Sequence, residues 1–261
     1  MPGSWALSPP YFLLFGFLCG IAGFRVGWRI GTRVALPLTQ AVLGWTAFLL
    51  AMRVVGVRWA AASVGAWALG STVASIFEFV GHPSETDERV IRAAAYRASM
   101  LTWLQTGNGP ERRPALTALQ HLREAIWYSA AAVATANLGS VALGAILLNY
   151  MNAYVATLLR AAKRTGAVVL LAWSVWSVVR VAAYVVIGAA AAAPLLRIAG
   201  WHVESRAVRG LALVGATGVV LDYVLKLALA KPYARALARA VDLDAAQANR
   251  SSESRLSLHL D

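Results

Sequence analysis

Charged side chains are scarce in this sequence: Asp, Glu, Lys and Arg make up 14% of 261 residues, about half the share of an average soluble domain. So few cannot cover a water-facing surface, which excludes an ordinary soluble globule. Cysteine is nearly missing as well. Cys19 stands alone, so there is no internal disulfide, and four isolated histidines without cysteine neighbours give no zinc spacing. No Walker loop, dinucleotide fingerprint, HExxH or GxSxG elbow occurs. The few acids within apolar stretches are not paired as a hydrolase needs, so an enzyme is the least supported class, and no cofactor or metal is expected.

What fills the sequence instead is apolar. Hydrophobic residues are 59% and mean hydropathy is +0.60, the composition of a membrane protein. The net charge of +12 does not indicate a nucleic-acid partner, because such proteins collect their charge on a polar face that this chain lacks. Basic residues flanking membrane segments account for it better, and the lipid bilayer is the partner to expect.

Crossing ~30 Å of hydrocarbon takes about 20 mostly apolar residues in a helix. Stretches free of Asp, Glu, Lys and Arg cover 1–24, 34–52, 59–77, 125–159, 165–179 and 181–196, with a shorter one at 210–221. Only Arg180 separates two of these, so 165–196 reads as one helix with an internal charge. The run 125–159 would make a helix of ~52 Å at 1.5 Å per residue, long for one crossing. Asn137-Leu138-Gly139-Ser140 offers a turn, which makes 115–136 and 141–162 a helical hairpin.

Loops rich in Lys and Arg stay on the cytoplasmic side, and this chooses between the readings. With one long helix, six spans leave 12 basic residues on one side and 11 on the other. With the hairpin, seven spans place 18 of the 24 on one side, five on the other, and Arg180 in no loop. The expected fold is therefore an all-α polytopic transmembrane bundle, seven spans preferred and six if 125–159 is one helix. Its N-terminus is expected outside and its C-terminus in the cytoplasm, in the cell (plasma or inner) membrane. Residues 1–231 form the bundle, including an amphipathic helix on the cytoplasmic side at about 84–106, lying on the membrane surface or docked under the bundle. That helix opens with acids in its first turn, at Glu85 and Asp87. Residues 232–261 are expected to be a cytoplasmic tail, mostly disordered after a short surface helix at 233–246.

Several polar and small residues fall where they need a reason. Gly16, Gly20, Gly23, Gly27 and Gly31 share one face of the first helix. Without a hydrophobic drive in lipid, such faces let helices approach closely, either within the chain or with a second copy or another membrane subunit. Arg180 costs at least about 2.5 kcal/mol in mid-membrane and needs a partner. It stands in the series Trp173, Trp176, Arg180, Tyr184, spaced for one helix face. Asp222 is the natural partner, with Lys226 one turn away competing for the same carboxylate. Asn149 and Asn152 share a face of the fifth span near mid-membrane, where hydrogen bonding between helices is the first expectation and lining a path the second. Arg180, Asp222, Lys226, Asn149, Asn152 and Trp176 are thus the candidate ligand or ion path, and they equally suit a neutralised pair that fixes helix register. His121, Arg123 and Glu124 read as an interfacial cluster.

Leu171-Ala172-Trp173-Ser174-Val175-Trp176 resembles the helix-six aromatic motif of the microbial rhodopsins, and Asp222-x-x-x-Lys226 is similar in spacing to that family's counterion and retinal-bearing lysine. The resemblance covers two helices. It implies Lys226 as a Schiff base, Asp222 as its counterion, and Trp173 and Trp176 as walls around retinal. The chain departs from the family in having no helix-three carboxylate with Arg and Trp neighbours in 59–81, and in having Ser177 where the helix-six proline stands. Lys226 also lies near the inner end of its helix. The function expected is a small transporter-like or channel-like protein with its path between the fifth and seventh spans. The rival is a non-catalytic subunit of a membrane complex, with a retinal protein as a remote third.

Overall fold

The computed structural model describes residues 8–107 and 114–246. Eleven helices form among the described residues: α1 Pro9–Ile30, α2 Ala35–Val55, α3 Val57–Gly81, α4 Pro83–Arg89, α5 Ala93–Thr106, α6 Pro114–Thr135, α7 Leu138–Arg160, α8 Thr165–Leu171, α9 Val175–Ala191, α10 Ala193–Ile198 and α11 Ser205–Ala240. An isolated antiparallel bridge joins Ala162 to Val241. Among the described residues, six segments are long and apolar enough to cross a membrane: α1, α2, α3, α7, the stretch Thr165–Ile198, and α11. The chain is a multi-pass membrane protein. Its surface fits, since Phe77, Leu170 and Leu213 are among the large apolar side chains turned outward, a coat that lipid tolerates and water does not.

The first three helices pack through backbone. Pro9 at N1 starts α1, where its missing N–H costs nothing, and Gly31 closes it in the left-handed conformation at φ 79°. A Cβ on Gly20 would fall on the carbonyl oxygen of Trp67 and 2.7 Å from the Ser71 nitrogen, while one on Gly23 would lie 2.9 Å from the Cα of Gln40. Gly16, Gly20, Gly23 and Gly27 are buried against α2 and α3. The glycine face is thus spent inside the chain and is not open to a second copy or subunit. Gly31 lies beyond it, near the Arg89 side chain.

α7 is the central helix, touching α2, α3, α5, α6 and α9. The run 125–159 is a hairpin, as the Asn137 turn predicts: Ala136 and Asn137 have φ of 48° and 81°, a left-handed step that Asn accepts readily. Tyr128 of α6 then packs beside Leu147 and Met151 of α7, the pairing of an antiparallel hairpin. The expectation of seven apolar spans is corrected in kind. α6 has the length to cross, ~33 Å for 22 residues, but is not among the helices apolar enough to do so on composition. It exposes Leu119, Leu122, Ile126 and Trp127 and turns His121 inward.

Three further expectations are corrected. Residues 165–196 are not one helix, because the backbone breaks between Leu171 and Val175, with Ser174 extended and its hydroxyl 2.7 Å from that of Ser177. The segment 84–106 is two helices, not one; of the two placements open to it, α5 takes the docked one, burying Met100, Leu101, Trp103 and Leu104. Pro232 does not end the last helix. α11 runs through it to Ala240, and Leu237, Ala240 and Val241 are buried, so residues 232–246 belong to the fold. The rest of the expected tail lies outside the described residues.

Candidate functional site

Close packing of α9 on α11 brings their charged residues together. Gly218 lets the helices approach, since a Cβ there would stand 2.8 Å from that of Ala183. One turn on from Gly218, Asp222 faces Arg180. The inward stripe of α11 includes Gly215, Asp222, Lys226, Ala230 and Leu237, so both ionisable groups of this stretch point into the protein.

Asp222 is fully buried, and Arg180 embraces its carboxylate with Nε and Nη2, each at 3.3 Å from one oxygen. The expected pair therefore forms. A third group joins from α6: His121 Nδ1 lies 2.7 Å from Asp222 Oδ2, with its side chain 6% exposed. Beside it, the Tyr184 hydroxyl donates to Glu124 Oε2 at 3.1 Å and reaches the His121 carbonyl oxygen at 3.3 Å. The Tyr128 ring stacks on Tyr184 with centroids 4.5 Å apart. With His121 protonated, Arg180, His121, Asp222 and Glu124 sum to zero charge; with it neutral they sum to minus one. One proton on His121 thus changes the net charge of this set by one.

The interfacial reading of His121 and Glu124 is corrected, while Arg123 on the same turn does face outward. The signal was present in the hairpin itself. Once 115–136 is placed within the bundle, His121 and Glu124 share, at i, i+3, the face of the helix opposite the exposed apolar stripe of Leu119, Leu122 and Ile126.

Other predicted site residues go elsewhere. Asn149 exchanges hydrogen bonds with Gln40 of α2, its Nδ2 donating at 2.7 Å and its Oδ1 accepting at 3.3 Å. Asn152 donates to Ser75 Oγ at 2.7 Å on α3. Both asparagines therefore tie α7 to the first three helices and do not join Arg180 and Asp222. Trp176 is buried one turn below Arg180, edge-on to Tyr233 at 4.8 Å. Lys226, 2% exposed, borders a groove with Trp103, Ala230 and Lys231. The ion pairs of Asp222 are to His121 and Arg180.

The Gln40–Asn149 pair supplies a stability test. Gln40→Leu should lower stability by about 1–3 kcal/mol by stranding the buried Asn149 amide, and the double variant with Asn149→Leu by less. Thermal unfolding in detergent reads both. A double variant that loses the sum of the two single losses would show that the amides are not coupled.

No protein-family model, curated protein or solved structure matches the chain.

Proposed function

We propose that the chain is a small transport protein that carries protons through the membrane, with His121 and Asp222 as the exchanging pair and Arg180 as the fixed countercharge. The observation that carries this reading is the 2.7 Å contact between His121 Nδ1 and Asp222 Oδ2, buried between α6 and α11 beside Arg180. Ionisable groups inside a membrane bundle are costly and typically mark substrate or proton paths. Histidine is the side chain suited to gaining and losing a proton near neutral pH.

Depth supports the same reading. From the helix ends near the α2–α3 connection, Arg180 lies ~16 Å below Ala191, His121 ~21 Å below Thr135, and Asp222 ~26 Å below Ser205 at 1.5 Å per residue. These values bracket half of a ~40–45 Å bilayer with its headgroups. The break between α8 and α9 comes 6 to 8 residues before Arg180, and interrupted spans are a recurring feature of transporter sites.

Purified protein in liposomes, with a pH dye inside and an imposed membrane potential, tests the proposal. Wild type should acidify the interior well above empty vesicles, and Asp222→Asn should remove that flux while still eluting as folded protein. Wild-type flux equal to that of empty vesicles overturns it and leaves the accessory-subunit reading. The orientation proposed is N-terminus outside and C-terminus cytoplasmic, following the 18 to five division of basic residues. In a Cys19→Ala background, His202→Cys should react with an impermeant maleimide on intact cells and Glu85→Cys only after permeabilisation; the reverse pattern would invert the topology.

A further inference from the structure

On the side of α9 turned away from Arg180, a crevice of about 550 Å³ runs between α3 and α9. Arg58, Gly65 and Thr72 mark its length along α3; Val178 and Val185 line it from α9, and Trp173 from the break before that helix. Leu69 and Val178 on its border are 59% and 51% exposed, so in a membrane the crevice opens sideways into hydrocarbon. Gly65 leaves the space clear: a Cβ there would meet nothing within 4 Å.

Arg58 is the one charged residue of the lining. It is exposed and takes part in no ion pair among the described residues. As the second residue of α3 it sits at headgroup level, where an arginine prefers a phosphate.

Length selects the occupant. Arg58 to Thr72 is 14 residues, ~21 Å along the helix, which is half of a ~40–45 Å bilayer including its headgroups. We propose that the crevice is a binding site for one anionic phospholipid of the leaflet at the α2–α3 end, with its phosphate on Arg58 and one acyl chain lying along Gly65 toward Thr72.

Native mass spectrometry of the whole protein, released from nanodiscs of mixed anionic and zwitterionic phospholipid, tests this. Wild type should keep one anionic lipid at energies that strip the others. Arg58→Gln should weaken retention about fivefold, the usual worth of one interfacial arginine, and abolish the preference for anionic over zwitterionic lipid. Gly65→Leu, which grows into the crevice, should remove the retained lipid of either charge. Wild type with no lipid held above the background, or either variant holding as much anionic lipid as wild type, overturns the proposal. Elution as a monodisperse peak confirms that each variant is folded, and the outcome is independent of proton flux because the crevice and the Asp222 cluster lie on opposite sides of α9.

Discussion

Asp222→Leu should lower the stability of the bundle by about 3–5 kcal/mol, because it leaves the Arg180 guanidinium buried without its carboxylate. Replacing the whole set, with Asp222→Leu, Arg180→Met and His121→Leu together, should restore most of that loss. A buried ionic set exchanged for apolar groups of similar volume is often neutral or stabilising. Unfolding followed in detergent reads both variants. The triple variant separates the two roles of the cluster. If the ions only set helix register, the apolar version should behave as wild type in every assay. If they exchange protons, it should be as stable as wild type and carry none.

Gly20→Leu has the second large effect expected. Even the Cβ of alanine would land on the Trp67 carbonyl oxygen and 2.7 Å from the Ser71 nitrogen. Both are backbone atoms of α3 and cannot turn aside as the end of a side chain does. Overpacking of this kind costs typically 1–3 kcal/mol, and a leucine exceeds it by forcing α1 off α3. Gly20→Leu should therefore sharply reduce folded yield, with Gly20→Ala intermediate. Gly144→Ala is the control, since a Cβ there meets nothing within 4 Å, and it should match wild type. A folded Gly20→Leu protein that changed only its oligomeric state would contradict the internal packing of this face.

Sequence patterns resolved the features that rest on local chemistry. Asn137 can hold the left-handed step that closes a hairpin, and it does. Arg180 has no loop to occupy and must find an acid, and Asp222 is that acid. The glycine face was legible as a close-packing surface, but its partner was not, because spacing within α1 says nothing of which backbone lies opposite. The break between α8 and α9 carries neither glycine nor proline, the residues that usually announce one. His121 was missed for a different reason. Its polar neighbours Arg123 and Glu124 suggest an interface, and that outweighed its place opposite Leu119, Leu122 and Ile126, which points it into the bundle once the hairpin is set. Asn149 and Asn152 make the interhelical hydrogen bonds expected of them, but their partners Gln40 and Ser75 could not be named from spacing within one helix.

The proton exchange assigned to His121 and Asp222 is most directly tested by a difference infrared spectrum of the protein in lipid between about pH 5 and pH 8, the range in which histidine changes charge. The expected result is an imidazole ring band and a carboxylate band that change together with pH, both lost in His121→Gln, and the carboxylate band alone lost in Asp222→Asn. A spectrum whose pH-dependent bands are unchanged in both variants would show a cluster of fixed charge, and would contradict a proton path through this bundle.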